Sequence, residues 1–306
     1  MNTYNMIDEL WLDVCNDVMG DGDLQDSRNG PSRELLGWTG RLLNPRACFL
    51  FNPERQLSAS YAAGELLWYL AGDASMPRIT AYAPSYERFA EVDGNAYGAY
   101  GPRVMPHLYD IAAILRNDPN SRQAVIPIFE PRDVSHARLL DRKDIPCTSS
   151  IMFILRAGKL NMITTMRSND AWLGLPYDIF CWCHFQMLLC QKIGCDLGWY
   201  QHQVMSMHLY EKHWGRAACA VNMTAAFDAD GFDYPLTLPL RETDIDDAVK
   251  IEQWNREKKC CTDHREQVGN DSCLLNQVLF MAASKFAPHA SKEIDNKTLR
   301  RHMEKQ

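Results

Sequence analysis

One cysteine among the chain's eleven stands where a thiol could do chemistry. Cys147 follows a proline in D-I-P-C-T (residues 144–148), at the approach to a predicted strand, where a side chain is held at a mouth and not inside a core. A nearby arginine would stabilise its thiolate, the nucleophilic form. Arg167 and Ser168, at the end of a predicted strand, pair a planar bidentate donor with a hydroxyl, which suits a phosphate. Arg28 and Arg122 are candidates to complete that grip, although an arginine in a polar loop such as Arg28's is more often simply solvated. Asp178 follows G-L-P-Y at a helix start, where capping the helix is the plainer use of a carboxylate. His208 and Tyr210, two apart on a strand, face the same side and suit a sugar hydroxyl. Glu65 lies in E-L-L-W-Y-L, the most apolar part of a helix. There it is either partnered in a salt bridge or raised in pKa, and so made a useful acid or base.

These residues need elements to hold them. Ile7, Leu10, Trp11, Val14 and Val18 recur at helical spacing and predict a first helix ending near Gly20. A polar loop over residues 21–32 follows, and the apolar run 47–51 reads as a short buried strand. Residues 57–70 predict a helix, residues 82–100 an aromatic, Gly-rich loop lining a pocket, and residues 110–116 another helix. N-D-P-N (117–120) is a turn leading to a strand over 124–129. Strands over 149–156 and 159–167 join at Ala157-Gly158 as a hairpin. An apolar helix spans 178–193 with Gly194 as its C-cap, then a strand over 198–210 and a helix over 211–221. Beyond residue 228 the composition turns polar, acidic and helical (245–259, 271–285), and residues 296–306 are expected to fray.

Composition bounds the function. A net charge of −7 argues against a general nucleic-acid surface. There is no apolar run long enough to cross a bilayer and no secretory leader, so reduced thiols in the cytoplasm are expected. No metal is expected. Among Cys181, Cys183, His184 and Cys190, the cysteines at i and i+2 of one helix point to different faces, so packing is the plainer reading, and Cys260, Cys261, Asp263 and His264 make only half a site.

Together, E-L-L-W-Y-L-A-G-D (65–73), N-D-P-N-S-R (117–122), P-C (146–147), R-S-x-D-x-x-L-G-L-P-Y (167–177) and H-L-Y-x-x-H (208–213) resemble the thymidylate synthase family in order and spacing, over residues 6–213. The resemblance implies an α+β fold, with a mixed β-sheet packed against helices and a homodimer made by sheets packed back to back. It divides the chain into a catalytic core over 1–228 and a helical C-terminal extension over 229–306 packed on the same domain. It implies 5,10-methylenetetrahydrofolate as co-substrate. In that reading Cys147 adds to C6 of the base and Glu65 organises protons and water. Arg28, Arg122, Arg167 and Ser168 would hold the 5'-phosphate, with Arg122 reaching across from the partner subunit. His208 and Tyr210 would take the sugar, and Asp170, Leu173 and Gly174 would line the folate side with Tyr177. Tyr86 and Phe89 stand loosely where the family has a tryptophan pair.

The main departure is Asp178, where thymidylate synthases carry asparagine. An amide donates to O4 and accepts from N3–H of uracil. A carboxyl group suits cytosine, donating toward N3 and accepting from the 4-amino group. That replacement is typical of the phage deoxycytidylate hydroxymethylases, to which the resemblance is closer. The expected reaction is hydroxymethylation of dCMP, with water as the trapping agent. The family's apolar C-terminus is not visible in R-R-H-M-E-K-Q, and the loosened folate side favours water. Thr148, Met166 and Ser206 also replace a histidine, a glutamine and an aspartate of the family pattern. The alternatives are a dCMP methyltransferase releasing dihydrofolate, a thymidylate synthase acting on dUMP, and a non-catalytic nucleotide-binding member.

Overall fold

Residues 1–27, 29–223, 243–260, 273–293 and 297–303 are described by the structure, a computed structural model. Its strands are β1 (Asn2–Tyr4), β2 (Asp23–Ser27), β3 (Gly30–Leu42), β4 (Val125–Pro127), β5 (Thr148–Arg156), β6 (Lys159–Met166), β7 (Asn169–Asp170) and β8 (Asp196–Tyr210). Its helices are α1 (Ile7–Asp21), α2 (Ala59–Leu70), α3 (Met76–Thr80), α4 (Gly101–Val104), α5 (Leu108–Asn117), α6 (Pro131–Leu139), α7 (Leu175–Ile193), α8 (Glu211–Val221), α9 (Asp244–Lys258), α10 (Cys273–Ala283) and α11 (Lys297–Met303).

The strands form one mixed sheet in the order β1-β3-β8-β6-β5-β4, with β2 on β3 and β7 on β8. β6 runs parallel to β8, and β3 antiparallel to it. That arrangement brings the C-terminal ends of β6 and β8 to one edge, beside the start of β5. The β5–β6 hairpin turns at Ala157 (φ 50°) and Gly158 (φ 74°), the positive-φ pair that a two-residue hairpin loop requires. α1 and α7 pack on one face of the sheet, and α2 and α5 pack on α7. Leu36 of β3 and Met205 of β8 are exposed.

Several expectations change. The loop over 21–32 is instead the β2–β3 hairpin, and the 13-residue β3 went unread because Gly37 and Gly40 interrupt its alternation. Residues 47–51 form no strand. They are buried coil, and the Phe51 amide donates to the Asp8 carboxylate at 3.1 Å. A short apolar run signals burial without fixing the backbone. α7 starts at Leu175, so Asp178 lies inside its first turn and Gly174 holds the N-cap position. Residues 297–303 form α11, with Leu299 buried, where fraying was expected.

α9 and α10 pack against α2. Glu252 of α9, 1 % exposed, accepts from Arg78 Nη1 (2.9 Å), the Tyr82 hydroxyl (3.0 Å) and Arg256 Nε (2.8 Å). Removing one member of a buried ion pair leaves its partners charged and dry. Glu252→Ala should lower the unfolding free energy by about 3–5 kcal/mol, read from the urea midpoint. Lys250→Ala, on an exposed pair of the same helix, should cost under ~1 kcal/mol.

Candidate active site

Where β5 begins and β6 and β8 end, a cavity of about 940 Å³ opens toward α2, the first turn of α7 and the 82–100 loop. It is lined by Cys147, Glu65, Asp178, Arg167, Ser168, His208, Tyr210, Tyr86, Phe89, Asp170, Leu173, Gly174 and Tyr177. Residues distant in sequence thus meet in one chamber.

Cys147 immediately precedes β5, and its carbonyl accepts from the Arg167 amide at 2.8 Å. The Arg167 side chain closes over the same loop. Nε donates to the Pro146 carbonyl and Nη2 to the Ile145 carbonyl (both 2.9 Å), and Nη2 stands 3.6 Å from Cys147 Sγ. Burial pushes the thiol up to about 11, Arg167 offsets only part of that, and Asp144 and Asp178 add to it.

Glu65 accepts from the Tyr61 hydroxyl at 2.9 Å, one helical turn earlier, and Cys181 Sγ lies 3.9 Å from its other oxygen. The salt-bridge alternative fails. Burial raises Glu65 to about 7, against the lowering effect of hydrogen bonds from Tyr61 and Tyr69. Gly64 lets the Tyr82 ring lie against α2, since a Cβ there would sit 2.5 Å from it. Asp178 accepts from Asn169 Nδ2 at 2.8 Å through Oδ2. Burial, then the charge of Glu65, raises it to about 8, and only Asn169 opposes. A position in the first turn of a helix favours a carboxylate by only about 0.3–1 kcal/mol, too little to reverse that.

The His208 and Tyr210 rings lie 5.2 Å apart on β8, and Asn29 Nδ2 donates to the Tyr210 hydroxyl at 3.3 Å. Ser206 donates to Glu34 of β3, which pairs with His208 across the strands. On the opposite side, Tyr86 stacks edge-on to Phe89 (5.2 Å) and Trp68 (5.7 Å). Asp170 Oδ1 accepts from the amides of Trp172 (2.8 Å) and Leu173 (2.9 Å), while Oδ2 is buried without a partner.

Arg122 is exposed and does not line this cavity, and Arg28 lies outside the described residues. So do Cys261, Asp263 and His264 of the half-motif. Among the described residues no group of three or more His, Cys, Asp or Glu side chains is placed to hold a metal, and no helix is long and apolar enough to cross a membrane. Sequence reasoning missed Asn29, Asn169 and Tyr100, whose hydroxyl accepts from the Thr148 amide at 3.1 Å. It also missed Tyr61, although the i, i+4 spacing to Glu65 was a readable signal.

A family profile described as thymidylate synthase matches residues 9–229.

Asp8, Glu65 and Asp178 all have folded pKa values raised by burial, to about 7, 7 and 8. Over that range the folded chain binds more protons than the unfolded one, so stability falls as pH rises. Thermal melts should drop steadily from about pH 4 to about pH 8. Asp178→Asn should flatten the upper part of that slope, and an unchanged slope would contradict the buried, protonated acid.

Proposed function

The chain belongs to the thymidylate synthase family, and on that premise we propose that it is a deoxycytidylate hydroxymethyltransferase. Members of the family are folate-dependent enzymes that transfer one carbon to a pyrimidine nucleotide. The reaction proposed here is dCMP, methylenetetrahydrofolate and water giving 5-hydroxymethyl-dCMP and tetrahydrofolate.

One observation carries the choice of base. Asp178 is a carboxyl group held protonated near neutral pH, inside the cavity, with one oxygen engaged by Asn169. A protonated acid donates to N3 of cytosine, which a uracil N3–H cannot accept. Cys147 adds to C6, its proton passing to Glu65 or to water, and Arg167 lowers the cost of the thiolate. That addition leaves negative charge over C5, C4 and N3, and the Asp178 proton neutralises it at N3. Glu65, poised near 7, takes and returns protons and orients water. Loss of the C5 proton and expulsion of Cys147 restore the ring. The folate supplies the one-carbon unit at the oxidation level of formaldehyde. The buried, unpaired Asp170 Oδ2 fits an N–H donor of its pterin, and Tyr86, Phe89 and Tyr177 give it flat apolar walls.

Arg167 and Ser168 hold the 5'-phosphate, completed by Arg28 and by Arg122 of the partner in a homodimer. The exposed sheet face with Leu36 and Met205 is the surface such a back-to-back dimer would cover. α9 and α10 lie beyond the matched segment and pack on α2, which supports one catalytic core over 1–228 with a helical extension over 229–306. The free cysteines among the described residues suit the cytoplasm.

Mass analysis of products from dCMP, dUMP and CMP tests the reading. Hydroxymethylated dCMP without dihydrofolate is expected, and Cys147→Ser should abolish turnover. Asp178→Asn should shift the dCMP/dUMP ratio of kcat/KM toward dUMP by roughly 10²–10⁴. Dihydrofolate formation from dCMP, or a wild-type preference for dUMP, overturns it.

A further inference from the structure

Asp178 does not stand alone. Behind it, Asn169, His202 and Tyr200 form a buried line of hydrogen bonds running from the cavity into the core. Asn169 Nδ2 meets Asp178 Oδ2 at 2.8 Å, His202 Nε2 meets Asn169 Oδ1 at 3.0 Å, and the Tyr200 hydroxyl meets His202 Nδ1 at 2.7 Å. Asn169 is 4 % exposed, His202 and Tyr200 not at all. Tyr200 and His202 are two apart on β8 and so share its core-facing side. We propose that Tyr200, His202 and Asn169 are positioning residues that force the proton of Asp178 onto its Oδ1, where the substrate base can receive it. The proposal rests on the reading of Asp178 as the group that meets the base.

Hydrogen-bond direction decides the matter. Each bond needs one donor and one acceptor, so the line can run only one of two ways. A carboxylate accepts only. With Asp178 ionised, Asn169 must therefore present its NH₂ to Oδ2, which turns its carbonyl toward His202. His202 must then donate through Nε2–H, and its bare Nδ1 accepts from the Tyr200 hydroxyl. His202 stays neutral, since burial holds its pKa down to about 3. When Asp178 takes a proton, the reverse order would need an amide flip and a tautomer change together. Asn169 Nδ2 lies 3.0 Å from where a Cβ on Gly174 would stand, a closely packed place. Oδ2 remains an acceptor, and the proton has only Oδ1 to occupy. Glu65, Cys147, Cys181, Tyr69, Tyr86, Tyr100 and Tyr200 are the described titratable groups close enough to Asp178 to feel its charge or to impose theirs on it. None of them forms a hydrogen bond to it among those described, so the Asn169 contact alone sets which oxygen is free.

Two measurements test this. Nitrogen NMR of isotope-labelled histidine should find His202 neutral, protonated on Nε2 and bare on Nδ1, across neutral pH. The opposite tautomer overturns the proposal whatever the substrate. Tyr200→Phe keeps the ring's shape and removes only the donor to Nδ1, and His202→Phe breaks the line. In each, kcat/KM for dCMP should fall roughly 10- to 100-fold, with a smaller fall for dUMP and a displaced acid limb of the pH profile. An equal loss on both bases with an unmoved profile means a structural role only and overturns it. If the wild type prefers dUMP, the reading of Asp178 has failed, and the tautomer measurement still judges the line on its own.

Discussion

The cost of keeping two carboxyl groups away from water, with no cation among the described residues bonded to either, governs this site. Asp178 has an asparagine amide as its partner, and Glu65 has a tyrosine hydroxyl and a thiol. Neutral donors lower a carboxyl pKa modestly, whereas burial raises it by several units, so burial wins for both. Each group is thereby poised to hold or release a proton near neutral pH. Arg167, a cation of the same cavity, is tied to two backbone carbonyls beside Cys147.

That balance depends on walls that stay in place. α2 carries Glu65, α7 carries Asp178, and the two helices pack on each other. Gly64 and Gly174 leave room where a side chain would strike Tyr82 or crowd Asn169. From outside, Glu252 of α9 grips Arg78 and Tyr82, and Tyr82 is itself a wall of the cavity. Helices outside the family match therefore brace the site indirectly, through one buried cluster of charges.

Much was legible in the chain itself. Strong periodicity and turn chemistry marked α1, α2, α7 and the β5–β6 hairpin, because 3.6-residue spacing and positive-φ residues leave local traces. β3 was illegible because glycines break its pattern, and residues 47–51 misled because apolar runs report burial and not backbone form. Among the site residues, Cys147, Glu65, Asp178 and Arg167 were identifiable by type and position. Asn169 was passed over, since an asparagine inside a recognised motif carries no local sign of what it touches.

By itself the sequence determined which groups exist and in what order: a thiol after a proline, an arginine-serine pair, an aspartate in place of an asparagine. Tertiary structure alone decided their protonation, since pKa depends on desolvation and on neighbours remote in the chain. It pushed the Cys147 thiol pKa up by burial, with Arg167 offsetting part of the rise. It set Asp178 at the end of a line of hydrogen bonds that begins at Tyr200 on β8, remote in sequence from where its carboxyl group lies. It also kept Arg122 out of this chain's own cavity. Distance along a chain says nothing about distance across a fold, and the chemistry of an acid is fixed by the latter.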